Sequence, residues 1–440
     1  MPPVTESRQE SPGRSLENMA WGERMRRVRV FAPLRRPQFR RMVVAQFFSE
    51  LGDGIVTVAL PLYVYSRTQS ALATSLTFSL QLLAGAVMGV IGGVLADGYD
   101  RQRILVVSYA GRCLLLVGAF LAGPLWLAVG CGALARAGGQ LDNPAFDAMV
   151  PEHAEDDLQQ VLAVRRFVQG VSLTIGPAVG ALAVELIGAR GALLTPCLAF
   201  VIALAVLATV SGLDRSLAGR RRQNAHDTIG QRLVSMREGL AILVETPVVR
   251  RLIAYSAASM VVIAIAMASA IVWFEEQLEV AGSWYGLSIA AYGIGSTIGL
   301  AWAGSRTFRR PLAVLLVVAA PVYAVCNVLG VVALEAWLLP VSWLLWGIAY
   351  GPEYVLGEVL VVRAVPELLR GRAFAAMAVI LLLSSAIGYG IAGVMLEWIG
   401  PRATTASMSI ALLALGLMWV GPAARGRQRA ACVAGAFSTA

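Results

Sequence analysis

PQFRRMVVAQ at residues 37–46 returns as PVVRRLIAYS at residues 247–256. In each copy a proline opens the run, two arginines follow, and an apolar stretch begins behind them. The copies stand 210 residues apart. The same spacing carries Gly85 and Gly89 onto Gly295 and Gly299, and MVPE around Pro151 is answered 215 residues later by AVPE around Pro366. A long repeat in an apolar chain predicts two copies of one membrane-embedded plan with a binding site between them.

Composition supports the membrane. Hydrophobic residues make up 58% of the chain and charged residues 14%, with a mean hydropathy of +0.70. A soluble domain carries about 25% charged residues. Runs of about 20 apolar residues, each enough to cross the hydrocarbon layer, recur along the whole length. No cleavable signal pattern is visible, so the first span is expected to direct insertion. The net charge is +9, and its basic residues are all arginine. They gather in the connections between apolar runs, as membrane topology requires, and not on one face as nucleic acid would require. Cys113, Cys131, Cys197 and Cys326 sit inside apolar runs and Cys432 in the tail, none at metal-ligand spacing. They read as small packing residues. Arginine without lysine, with much alanine, is the usage of a high-GC bacterial genome, which makes the bacterial cell membrane the expected location.

Twelve spans are predicted, at 42–65, 71–95, 104–122, 125–148, 161–186 and 191–211, then 250–274, 284–304, 311–333, 337–362, 373–396 and 403–421. The chain divides into an N-terminal segment (1–37), a first half (38–212), a polar linker (213–246), a second half (247–421) and a tail (422–440). Arg101, Arg103, Arg220, Arg309 and Arg372 mark one set of connections; Glu185, Glu276, Glu335 and Glu397 mark the other. The arginine-rich side is cytoplasmic, so both termini lie inside. Residues 16–31 read equally as a basic helix on the inner leaflet or as a basic tail.

After the second span comes GGVLADGYDRQR, Gly92 to Arg103. Gly93, Asp97, Arg101 and Arg103 resemble the loop signature of the major facilitator superfamily, in which a glycine precedes an aspartate by four residues and a basic cluster follows. Gly98 and Asp100 depart from the commonest form. The resemblance implies an all-α membrane fold of two pseudo-symmetric six-helix halves, and makes these residues a cytoplasmic gate. Asp97 would accept from unpaired backbone donors at a helix end, and Arg101 would pair with acids nearby. In the fifth span, Gly170, Gly176, Pro177 and Gly180 resemble the GPxxGG-type motif of antiporters in this superfamily, with Ala181 as a departure. Residues 136–167 resemble macrolide and enterobactin exporters of the same superfamily. Glycines concentrate in the second, fifth, eighth and eleventh spans, which the resemblance makes the contact between halves.

Charges inside spans cost energy and persist mostly where they function. Glu50 and Asp53 share a helix face. Counted from Arg41 at about 1.5 Å per residue, Asp53 sits near mid-membrane; Arg136, counted from Pro124, reaches a similar depth. An acid beside an arginine stays ionised, and one withdrawn into a drier pocket takes up a proton more readily. Asp53 with Arg136 is therefore the first expectation for proton coupling. Glu353 and Glu358 in the tenth span are the rivals, and Arg112 is expected to give support. Glu50 and Glu358 also fit as residues reaching toward the surface. His153 and His226 fall in loops and read as solvated.

The function expected is proton-driven export of a small amphiphilic compound. Trp273, Phe274, Tyr292, Trp343, Trp346, Tyr350 and Tyr354 would give an aromatic cavity, although interfacial placement and packing account for such residues as well. Solute import by proton symport, and a non-transporting sensor or lipid-handling protein, are the alternatives. No Walker loop, metal cluster or nucleophile elbow is present in the sequence, which speaks against an enzyme. No cofactor is expected beyond the proton gradient. The expected partners are a small-molecule substrate, protons and the lipid bilayer, with no nucleic acid and a monomer as the working unit.

Overall fold

The computed structural model describes residues 33–149, 158–210, 229–276, 283–303, 321–329, 335–366 and 369–436. Residues 16–31, His153, His226 and most of the ninth expected span lie outside them. Regular structure among the described residues is helical, as an apolar chain in hydrocarbon must be, because a helix satisfies its own backbone polar groups.

The first half comprises α1 (Pro37–Thr68), α2 (Ala71–Gly98), α3 (Arg101–Leu121), α4 (Leu125–Met149), α5 (Leu158–Ala192) and α6 (Thr195–Ala208). Local chemistry sets several ends. Proline stands in the first turn of α1, where its missing N–H costs nothing. The Ser70 hydroxyl accepts from the Ala73 N–H at 3.1 Å and starts α2. Asp100 accepts from the backbone N–H groups of Gln102 at 2.9 Å and Arg103 at 3.3 Å and starts α3. The departure from the common loop form at Asp100 is thus a helix cap.

The linker's later part is helical: α7 (Ile229–Glu245) lies against the second half, with Glu238 paired to Arg372. The second half holds α8 (Pro247–Glu276), α9 (Ser283–Ala303), a helical stretch at 321–329, α10 (Leu338–Ala364) and α11 (Arg370–Ala436). The last is two helices joined across Gly400, whose φ is 77°. Gly188 makes the same break in α5 with φ 76°. Both glycines lie in an Ile-Gly-x-Arg sequence, Ile187 to Arg190 and Ile399 to Arg402. A left-handed backbone suits glycine, so one residue turns the fifth span into the sixth in each half.

Among the described residues, seven helical stretches are long and apolar enough to cross a membrane. The stretch in α11 covers two expected spans across the Gly400 turn. α6 is apolar but short, with 14 residues. The first half packs around α1, whose residues Val56, Leu60 and Tyr63 meet Leu116, Ala128 and Phe200. The halves meet where α2 faces α11 and α5 faces α9. Ser79 donates to the Ala386 carbonyl at 2.7 Å, Phe78 stacks on Tyr389 at 4.6 Å, and Ser70 donates to Glu397 at 3.0 Å.

Candidate functional site: buried charges and an interdomain crevice

Arg112 is the hub of the first half. It comes from α3, is 2% exposed, and spends its donors on four groups. Nη1 donates to Asp142 Oδ2 at 2.7 Å and to Ser49 Oγ at 3.2 Å; Nε donates to the Ala135 carbonyl at 3.0 Å; Nη2 pairs with Asp53. The guanidinium also lies 3.9 Å from the centroid of the Phe200 ring. Arginine suits this place because a rigid planar fork can serve two carboxylates and stack on an aromatic face at once.

α4 shapes the cradle. Gly138 and Gly139 leave the space that Arg112 and Asp53 fill: a Cβ on Gly138 would stand 2.8 Å from Arg112 Cδ, and one on Gly139 would collide with the Asp53 carboxylate. On the other side of Asp53 stands Arg136. Its Nη1 lies 3.9 Å from Asp53 Oδ1 and its Nε donates to Thr57 Oγ1 at 2.9 Å. Arg112 and Asp142 are sealed, each with 2% of the side chain exposed, whereas Arg136 retains 22% and Asp53 13%. The geometry brings Asp53 and Arg136, linked in the sequence reading, to within 3.9 Å of each other. Arg112, expected as a support, stands at the centre. Asp142 was missed, although a spanning arginine demands acids nearby and Asp142 follows Arg136 by six residues.

The other expected residues are dispersed. Glu50 is buried and accepts from Gln46 Nε2 at 2.6 Å. Glu353 is buried in the second half and accepts from the Tyr323 hydroxyl. The side chains of Glu358, Asp97 and Phe274 lie outside the described residues, as does what surrounds Gly93. Arg101 begins α3, and Arg103 is exposed and faces its own cap, Asp100, at 3.5 Å. The Gly-Pro motif of α5 works as a wedge. Gly176 lets α5 approach α1, with a Cβ there only 2.8 Å from Gly54 Cα; Gly180 does the same at Ile55. The Pro177 carbonyl faces Gly286 of α9 in the other half. Gly170 meets Thr297 of α9 more loosely. The aromatic residues form a ladder: Tyr285 to Trp343 at 6.0 Å, Trp343 to Trp346 at 6.2 Å, Trp346 to Tyr292 at 6.4 Å, then Tyr350 and Tyr354. Most of its length packs α9 on α10.

The halves separate at one end. Ser70, Phe78 and Ser79 seal α2 to α11 toward the face carrying the Gly400 turn. Toward the opposite face a cavity of about 440 Å³ opens between Gly85 to Val90 of α2, Gln140 of α4 and Gly371 to Leu382 of α11. Two repeated helical halves, buried charges in the first, and a crevice between them form the architecture of a membrane carrier. The sequence profile of the Major Facilitator Superfamily matches residues 42–351.

The chain belongs to the Major Facilitator Superfamily. Among its superfamily relatives is the uncharacterized MFS-type transporter YfiS of Bacillus subtilis (strain 168), 24% identical over 88% of this chain and 94% of its own. The enterobactin exporter EntS of Shigella flexneri is 24% identical over 87% of this chain and 90% of its own. Macrolide efflux protein A of Streptococcus pyogenes is 28% identical over 33% of this chain and 37% of its own. In fold, the nucleoside transporter NupG superimposes with a TM-score of 0.71 at 11% identity, covering 87% of this chain and 98% of NupG. This superfamily member is a transporter and not an enzyme.

Proposed function

We propose that this protein is a proton-coupled exporter that moves small amphiphilic compounds across the bacterial cell membrane by alternating access. The fold behind this reading has twelve spans, with both termini in the cytoplasm, and works as a monomer. The observation that carries it is the crevice. The halves meet on the Gly400 face and part around about 440 Å³ on the face where Arg101, Arg103 and Arg372 lie. The positive-inside rule assigns that face to the cytoplasm, the side from which an exporter loads. The lining is apolar apart from Gln140 and Arg372, which suits an amphiphile over a charged metabolite. Export is favoured over import by the relatives named as exporters and by the Gly176–Pro177 wedge, which resembles the antiporter motif.

Gly93, Asp97, Arg101 and Arg103 act as the cytoplasmic gate in this reading. They latch the halves only in the state closed to the cytoplasm and stand apart in the open one. The Gly-rich faces of α2, α5, α9 and α11 let the halves repack without large side-chain clashes.

The test uses inside-out vesicles with an imposed proton gradient and erythromycin as probe. Erythromycin should dissipate part of the gradient in vesicles holding the protein and leave control vesicles unchanged. Concentrative uptake of the probe by whole cells, with no gradient response in vesicles, would favour the import alternative.

A further inference from the structure

The repeat relates two buried pairs. Arg112 and Asp142 are 30 residues apart on α3 and α4 and are bonded side chain to side chain. Tyr323 and Glu353 are 30 residues apart on the 321–329 stretch and α10, and are also bonded side chain to side chain. Each member of the first pair is displaced 211 residues from its counterpart, within the range of the repeat seen elsewhere. One plan has therefore produced an acid bound by a guanidinium in the first half and an acid bound by a phenol in the second.

The charges of the two sites differ. In the first half, Arg112 and Arg136 face Asp53 and Asp142, two cations against two anions. That set is balanced as it stands, and a proton on either acid would leave the buried Arg112 one charge partner short. Glu353 has no basic partner among the described residues. Among the described residues, the titratable groups close to it are three phenols: Tyr323, Tyr255 of α8 and Tyr292 of α9. Pro352 precedes it inside α10 and deprives the Ile348 carbonyl of its helical donor. The helix is thus weakened at the residue before the acid.

Resting on the reading of a proton-coupled exporter, we propose that Glu353, positioned by Tyr323, is the residue that takes up and releases the coupling proton, and that the Arg112 cluster keeps its charges throughout as a brace. The step is a proton transfer alone: the carboxylate Oε gains a proton and loses it again, with no other bond changed. A small cavity lies about two helical turns along α10 from Glu353 toward the Gly400 face, with Trp346 in its lining. It has about 30 Å³ of space among Ser269, Asn327, Ser342 and Thr405, enough for a water. The Ser269 and Ser342 hydroxyls donate to the carbonyls of Ile265 and Leu339, and Asn327 Nδ2 to that of Tyr323, which leaves their oxygens to accept from water. The cavity lies on the sealed side of the molecule and shares no lining residue with the substrate crevice.

Infrared difference spectra of the purified full-length chain, taken between about pH 5 and about pH 9, read carboxyl protonation directly. E353Q should remove one protonated-carboxyl component, while D53N and D142N keep it. Y323F should keep the component and displace its midpoint in pH, which a role in packing alone would not do. In vesicles, E353Q should lose about tenfold or more of gradient-driven erythromycin efflux, equivalent to about 1.4 kcal/mol of barrier. It should retain exchange of labelled for unlabelled erythromycin, which moves no net proton. A wild type without proton-linked efflux would sink the exporter reading and this assignment with it. Coupled efflux that survives E353Q, or a spectrum that loses its component in D53N instead, would overturn the assignment alone.

Discussion

The two halves solve the same packing problem with different residues. In the first half, α2 crosses α4 with Gly85 and Gly89 facing Gln140, and in the second, α9 crosses α10 with Gly295 and Gly299 facing Gly347 and Gly351. Gly347 and Gly351 stand where the repeat puts Arg136 and Gln140. Glycine on glycine brings α9 and α10 into backbone contact, where a Cβ on Gly351 would collide with the Gly299 carbonyl carbon. Against Gln140 the first-half glycines are held further off, at 3.4 Å and 3.8 Å, and the crevice lies along that face. The first half uses its polar residues to build an internal ion cluster. The second spends the equivalent positions on close packing and keeps a buried acid at Glu353. Duplication supplied the frame, and divergence gave the first half an ion cluster and the second, among the described residues, a buried acid beside a phenol.

That contrast can be broken most directly at Arg112. Arg112→Met removes the cation that Asp53 and Asp142 share and leaves Asp142 buried without a charge partner. The expected loss is about 3–5 kcal/mol, read as a fall in folded yield and in the melting temperature in detergent. A variant that melts with the wild type would remove the ion cluster from the account. A finer version pairs the two acids. Asp142→Asn should cost about 1–3 kcal/mol because Arg112 loses a charge partner. Glu353→Gln should melt within about 0.5 kcal/mol of wild type, since an amide oxygen still accepts from Tyr323. Equal losses at the two sites would mean that the halves are not electrostatically different.

The helix crossings sharpen the comparison at smaller scale. Gly351→Ala should destabilise by about 1–3 kcal/mol, because the added methyl meets the α9 backbone, which has nowhere to move. Gln140→Ala, at the related position, only widens a cavity already open and should change the melting temperature little. Thermal unfolding of the two variants side by side checks this, and a reversed order would contradict the crossing geometry. The smallest effect is expected at Gly111, next to the hub in sequence. A Cβ there meets nothing within 4 Å, so Gly111→Ala should be neutral or stabilise α3 by about 0.5–1 kcal/mol. A large loss would show that α3 is packed more tightly along that face than its open surroundings indicate.

The sequence by itself determined the membrane class and the duplication and, through the resemblance to the superfamily, the contact faces of the halves. These follow from apolar runs of about 20 residues, a 210-residue echo and the glycines of four spans, all of which are local or periodic signals. Counting depth along helices also put Asp53 level with Arg136. What only the tertiary structure decided is which charges own which. Arg112, Asp142 and Ser49 converge from three helices, and linear spacing carries no record of helix rotation, on which such convergence depends. Gly138 and Gly139 read as ordinary small residues until Arg112 and Asp53 are seen lying in their place. The kinship of Tyr323–Glu353 with Arg112–Asp142 was hidden for a similar reason. A phenol and a guanidinium share no chemical class, and only their common contact across the same pair of helices shows them to be the same position.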